Sequence, residues 1–521
     1  MTTTGPLIEA TNGPRRWLSV VMDQPMTNQD QLPTVGQLPT VSTANPSLPA
    51  VFTRLVWLLW LASLGVLAAR LVADVTLTVP GVIAVDGLAL VMWIAVTFFS
   101  GIVHSYSRRY MAGQKQINRF FGGVFGFTLV VMVLVAADSL LLFVAAWVAM
   151  GLVMAELIGH INGWPQAQSA AAVARRYFLA SGGLLALAAG VLWISTGATT
   201  VSGVAAAADS LPATLWLVAA SALLLAAMIQ SALVPFHTWL LASMTAPTPA
   251  SALMHAGFVN AGGILLVRFS SVITVDPRFL QVVLVVGAAS ALLGKLLKSV
   301  QADVKTQLGC STIGQMGFMI MQVGLGFFAA AIAHLILHGF YKAYHFLSAG
   351  EGVSHTSPDA AKHTTRSLTV TGFVVTTVMA IAGGVVFALL TGKGASVDSG
   401  LLLTLLVVLT TLHASRNALG QPSIPPAVRY GAVALLFLPA IVVYAGVYNA
   451  VTAVMAGSLT ASAPVEITVV HGVIAVAFGI AYVAIETGAY RFSDRLYVAL
   501  MNATQPPRET VLTATEEYNA Y

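Results

Sequence analysis

Residues 325–347 read LGFFAAAIAHLILHGFYKAYHFL. As a helix this run is long enough to cross about 30 Å of hydrocarbon, yet among its Ala, Leu, Ile and Phe it carries His334, His338, Lys342 and His345. His334 and His338 are four residues apart and share one helix face, and Lys342 continues that face. At 1.5 Å per residue the titratable groups extend over roughly 16 Å. Charges in hydrocarbon are costly and mark ion or proton pathways, and imidazole, which titrates near neutral pH, suits a proton relay. Two other readings stay open: hydrogen bonds that tie helices together, and a His-x3-His metal site, for which no further ligand cluster is visible.

The rest of the chain is built of similar material. Of 521 residues 57% are hydrophobic and 8% charged, against about 25% charged in soluble domains. That excludes a soluble enzyme, because too few polar groups exist to cover its surface. No segment alternates like a transmembrane barrel strand. The apolar runs predict an all-α polytopic membrane protein with about fourteen spans, near 54–73, 82–105, 118–136, 139–160, 172–194, 214–234, 248–270, 279–298, 307–323, 325–347, 367–391, 400–418, 430–455 and 466–488. Pro80, Pro165, Pro212, Pro277, Pro358, Pro422 and Pro464 fall between them. A single cysteine, Cys310, rules out a disulfide framework and a Cys-based zinc cluster.

Three regions follow: a polar tail over 1–50, a transmembrane domain over 51–490 and a cytoplasmic segment over 491–521. The tail is rich in Thr, Gln, Asn and Pro and lacks the apolar core of a signal peptide. It reads as disordered, or as a docking element around Trp17 to Met22. With the amino terminus inside and the spans alternating, only Arg70, Arg268, Arg278 and Lys393 of the 24 basic residues fall outside. That is a strong positive-inside bias and places both termini in the cytoplasm.

Polar residues recur at membrane depth: Asp86, Glu156, Gln230, His237, His255, Lys295, Lys298, Asp303, Lys305, Lys393, His413 and Arg416. The sixth span carries Gln230 before Pro235, and the seventh opens at Pro247-Thr248-Pro249 and contains Gly257, Gly262 and Gly263. These breakers predict either broken helices sheltered by protein or a water-filled cavity, or packing kinks.

Several motifs in register resemble the antiporter-like subunits of respiratory complex I and of Mrp cation/proton antiporters. They are Val85-Asp86-Gly87-Leu88, Ser107-Arg108-Arg109-Tyr110-Met111, Pro235-Phe236-His237-Thr238-Trp239-Leu240, the run Ala246 to Ala256, Asp303-Val304-Lys305, Ser311 to Gly317, and His334 and His338 with Phe340-Tyr341-Lys342-Ala343. The likeness covers roughly 82–418. It implies 13–14 helices, inverted repeats and broken helices. It also implies a proton path through Lys305, His334, His338 and Lys342, with Asp303 and Glu156 as charge partners and His255, His237, Gln230 and Lys393 as further members.

The departures are as informative. After Trp147 the family's Glu is replaced by Val148, and Glu156 comes eight residues later. Gln230 stands for the family's broken-helix Lys, and Leu240-Leu241-Ala242-Ser243 for its Leu-Pro-Asp-Ala. With these changes the chain resembles the DabB-type membrane subunits of bacterial inorganic-carbon accumulation complexes. That resemblance implies a non-catalytic, multi-pass subunit of the bacterial inner membrane with no cofactor of its own. Ion flow through it, of protons or Na+, would drive conversion of CO2 to bicarbonate by a DabA-like, carbonic-anhydrase-related soluble partner that carries zinc. The alternative is a Na+/H+ antiporter or a proton-pumping subunit of a complex I-like or Mrp-like assembly. The partner is expected on the cytoplasmic face, at Glu351, His355, Asp359, Lys362, His363 and Arg366 and at Arg491 and Arg495. Reporter fusions at either terminus should be active only where the cytoplasm supports the reporter; periplasmic activity at either end would contradict the topology.

Overall fold

The computed structural model describes residues 47–511 apart from 74, 350–369, 395, 420–425 and 458–463, and the backbone alone at 370 and 417–435. Each expected span has a helical counterpart. These are α1 Ser47–Ala73, α2 Gly87–Tyr110, α3 Ile117–Ala136, α4 Leu140–Ile158, α5 Pro165–Thr196, α6 Ala213–Gln230, a broken α7 (α7a Thr248–Ala256 and α7b Ala261–Arg268), α8 Pro277–Ser299, α9 Val304–Gly324, α10 Phe328–Leu347, α11 Val370–Thr391, α12 Ser399–Leu419, α13 Pro426–Met455 and α14 Val469–Thr487. A short helix, α15 Asp494–Ala503, follows. Twelve spans among the described residues are long and apolar enough to cross a membrane on composition alone; α9 and α10, which carry Lys305, His334, His338, Lys342 and His345, are the two that are not.

Helix ends obey the alternation read from the basic residues. On the basic face Arg176, in the amino-terminal half of α5, pairs with Glu509; His237, just after α6, meets the Ala503 carbonyl; and Gln301, just after α8, bonds Thr504. On the opposite face a hairpin of β1 (Leu77–Val79) and β2 (Ile83–Val85) leads into α2, and isolated bridges join Ile83 to Ala137, Ser139 to Thr200 and Asp398 to Glu466. Asp86 caps α2 and forms an ion pair with Arg268 at the end of α7b on that same face.

The broken α7 is the centre of the molecule: 94% of its span is buried, against 11% for α1 and for α14. Its break at Gly257 frees carbonyls that side chains recover. Asn260 Nδ2 donates to Ala256 O (2.7 Å) and Ser231 Oγ to Val259 O (2.6 Å), as a water-free interior demands. The sixth span behaves differently from a mid-membrane break. α6 simply stops at Gln230, and the Trp239 indole takes up the Ile229 carbonyl (2.9 Å).

α8 and α9 pack backbone to backbone. A Cβ on Gly287, Gly294, Gly317 or Gly324 would collide with backbone atoms of Met321, Gly314, Ala291 or Leu284, so small residues set the approach as in other membrane helix pairs. Gly294→Leu should cost at least about 3 kcal/mol, the upper end for overpacking, and deplete the protein from the membrane fraction. Gly183→Leu, at a position with nothing within 4 Å, should accumulate normally. Equal amounts of the two variants would refute the close approach.

Candidate functional site: a buried histidine and lysine ladder

Lys342 is fully buried. Its ammonium donates to the Leu308 carbonyl of α9 at 2.7 Å. The same carbonyl accepts the Thr312 hydroxyl at 2.9 Å, and Thr312 Oγ1 lies 2.9 Å from His255 Nδ1. A hydroxyl has one proton; if Leu308 takes it, the histidine must donate at Nδ1, which fixes its tautomer by the network. His255, the last turn of α7a, also stacks on Phe346 with ring centres 4.3 Å apart. Lys342 and His255 thus meet at one point on α9, although they are far apart in sequence.

His334 and His338 stand further along α10, stacked at 6.0 Å, with Phe318 of α9 at 5.3 Å from His334. Both are buried, and among the described residues their Nε2 atoms have no hydrogen-bond partner. Lys305, near the basic face, is partly buried and reaches the Ala246 carbonyl at 3.5 Å. Lys342 and His255 are thus joined through Leu308 and Thr312, His338 and His334 stack further along the same helix as Lys342, and Lys305 makes a separate contact at Ala246. His345 turns aside to Tyr341 and Tyr344.

Other expected members lie elsewhere. Glu156 is not a charge partner of the ladder. It sits in the last turn of α4, its side chain 55% exposed, and pairs with Arg119 (2.7 Å) and Arg175 (3.2 Å). Asp303 is exposed and caps α9 through Thr306 N (2.7 Å) and Thr306 Oγ1 (2.8 Å). Among the described residues no carboxylate pairs with Lys305, Lys342 or Lys393. Lys393 lies toward the opposite face, 3.7 Å from the Phe327 ring centre and 5.4 Å from that of Tyr448, a cation–π setting. Gln230 is fully buried, and its amide has no partner among the described residues. Val148, where the family carries an acid, packs so closely on Gly182 that a Cβ there would meet it at 2.6 Å. Glu351, His355, Asp359, Lys362, His363 and Arg366 lie outside the described residues. Arg491 stacks on Tyr490, and Arg495 lies on α15.

Two family models match this chain: the transmembrane region of NADH:quinone oxidoreductase and Mrp antiporters over residues 137–392, and the amino-terminal part of complex I chain 5 over 73–121. The chain belongs to the complex I and Mrp antiporter-like family. Within that family it is similar to proteins named probable inorganic carbon transporter subunits. It is 40% identical to DabB1 of Halothiobacillus neapolitanus over 296 residues, 55% of this chain and 52% of that one. It is 35% identical to DabB of Bacillus anthracis over 324 residues, 61% and 62%. It is also 36% identical to NADH-quinone oxidoreductase subunit L of Mycobacterium tuberculosis, over 51% of this chain and 42% of that one. The chain thus spans about half the length of the curated relatives it matches. The solved Mrp complex from Dietzia sp. DQ12-45-1b shares the fold, with a TM-score of 0.64 at 23% identity, covering 87% of this chain and 56% of that one. The chain is therefore an antiporter-like, multi-pass membrane subunit.

Thr312→Val keeps the side-chain shape but leaves the His255 Nδ1 proton without an acceptor, which costs about 1–3 kcal/mol. Glu156→Gln breaks only exposed pairs worth about 0–1 kcal/mol. Thermal unfolding of the detergent-purified chain should register the first variant as clearly less stable than the second. The reverse order would contradict the His255–Thr312–Leu308–Lys342 connection.

Proposed function

We propose that this chain is the ion-conducting membrane subunit of an inorganic-carbon uptake complex, and that protons moving along its ladder drive one-way hydration of CO2 in a zinc-bearing, carbonic-anhydrase-like partner on the cytoplasmic face. The observation that carries the reading is a fully buried lysine, Lys342, joined through Leu308 and Thr312 to the buried His255, with the buried His338 and His334 further along its own helix and no carboxylate paired with it among the described residues. A fixed ion pair would hold its proton. A lysine on a lone carbonyl can give its proton to, or take one from, a neighbouring imidazole.

The similarity to DabB proteins points the output toward inorganic carbon. Val148 and Gln230 leave the other half of the family's path without its acid and lysine. That disfavours the alternative of a Na+/H+ antiporter or a proton pump of a complex I-like or Mrp-like assembly. The basic face is assigned to the cytoplasm of a bacterial inner membrane, with both termini there. One charge crossing 100 mV supplies about 2.3 kcal/mol, a bias of about fifty-fold in any equilibrium coupled to it.

Lys342→Met and His338→Leu, made separately, should each assemble with the partner at normal levels yet fail to support growth at air-level CO2. Normal growth with either variant would contradict the relay. Affinity purification from the native host should bring down a zinc-containing soluble protein; iron–sulfur and quinone subunits in its place would establish the alternative.

A further inference from the structure

Three helix ends converge beside the ladder, near the basic face. Lys295 of α8 places Nζ 2.9 Å from His413 Nε2 of α12, and His413 Nδ1 lies 2.6 Å from Glu486 Oε1 of α14. The second Glu486 oxygen is 3.4 Å from Arg416 Nε, and Arg416 donates to Tyr482 OH at 3.1 Å. An ammonium only donates and a carboxylate only accepts, so the imidazole between them accepts at Nε2 and donates at Nδ1. This arrangement has a direction. A proton passed from Lys295 to Nε2 lets the Nδ1 proton move to Glu486. The ring is left in its other tautomer, the lysine as a neutral amine and the glutamate as a neutral acid, which can release the proton at the basic face.

A cavity of about 690 Å³ lies between this trio and the ladder. Lys295 and His413 line one part of it, His334 and His338 another, and Lys298, Tyr341, Tyr444 and Tyr482 also border it. The Nε2 atoms of His334 and His338 are buried and find no partner among the described residues. Such nitrogens are costly unless solvated, and a water occupies only about 30 Å³.

We propose that the cavity is a water-filled branch that carries protons between the His334–His338 pair and a Lys295–His413–Glu486 wire, giving the pathway a port on the basic face that bypasses Lys305. The proposal rests on the reading that the chain conducts protons. It adds a route, with three residues that no family motif supplies.

Two measurements on the full-length chain in membrane vesicles test it. In a Cys310→Ala background, which removes the sole and fully buried thiol, Thr410→Cys places a thiol on the cavity wall. A membrane-impermeant methanethiosulfonate applied to the basic face should label it at least about ten times faster than it labels the parent Cys310, since thiolates form where water reaches. No labelling from either face would mean an apolar or lipid-filled space and would overturn the proposal.

His413→Gln keeps a donor toward Glu486 and an acceptor toward Lys295 but cannot relay a proton. At unchanged abundance, proton entry driven by an imposed potential should fall at least about tenfold. Conduction equal to the parent would reduce the trio to a clamp between helices and overturn the wire. If His413→Gln fails to accumulate, Glu486→Gln, which is nearly isosteric, is read against the same two outcomes. Loss with His413→Gln but not with Lys342→Met would sink the ladder and leave the wire standing, so the two failures are distinguishable.

Discussion

An ammonium group inside a protein dissolved in lipid must be held by something, and among the described residues Lys342 makes its hydrogen bond to one backbone carbonyl, that of Leu308, with the Tyr341 ring centre 5.8 Å away. The placement of the surrounding helices serves that contact. α9 presents Leu308 and Thr312 on the face toward α10 because its other face is pressed, glycine to backbone, against α8. α7 breaks at Gly257, so that His255 ends a short helix and reaches Thr312, and the carbonyls released by the break are recovered by Asn260 and Ser231. Rotate α9 by one residue, about 100°, and the lysine, the threonine and the histidine lose their common point.

Dispensing with a carboxylate has a chemical consequence. A buried lysine–carboxylate pair is stabilised as two ions, and breaking it by removing one partner is expensive. Here the acids stay at the margins. Glu156 lies among arginines on the basic face, Asp86 is matched with Arg268 on the other, and Glu486 is shared by His413 and Arg416. The interior is left to groups that exchange protons with one another. A membrane potential of ordinary size shifts such an exchange by a few kcal/mol, on the scale of a conformational coupling energy.

Much of this is legible in the sequence because lipid imposes simple rules. Each span read from the apolar runs has a helix, and the described helix ends follow the alternation that the basic residues suggest. The histidine and lysine face of α10 shows in its four-residue spacing, and the breaker at Gly257 marks the fold's centre. Position along a span is harder. Glu156 comes eight residues after Val148, but α4 ends at Ile158, which brings Glu156 to the surface within reach of Arg119 and Arg175. Asp303, beside Lys305 in sequence, turns to cap its own helix. Contacts across helices leave no local trace: Lys295 and His413 were visible as membrane-depth polar residues, but nothing in their spacing pairs them, and Glu486 looks like the end of an apolar run.

The most direct test of the buried relay is proton entry into liposomes holding the purified full-length chain together with whatever protein copurifies with it. A potassium diffusion potential would be imposed in sodium-free buffer and internal pH followed with a trapped dye. A relay through Lys342 predicts acidification that follows the potential and is lost in Lys342→Met incorporated at equal density. Acidification of the same rate and extent in that variant would contradict it.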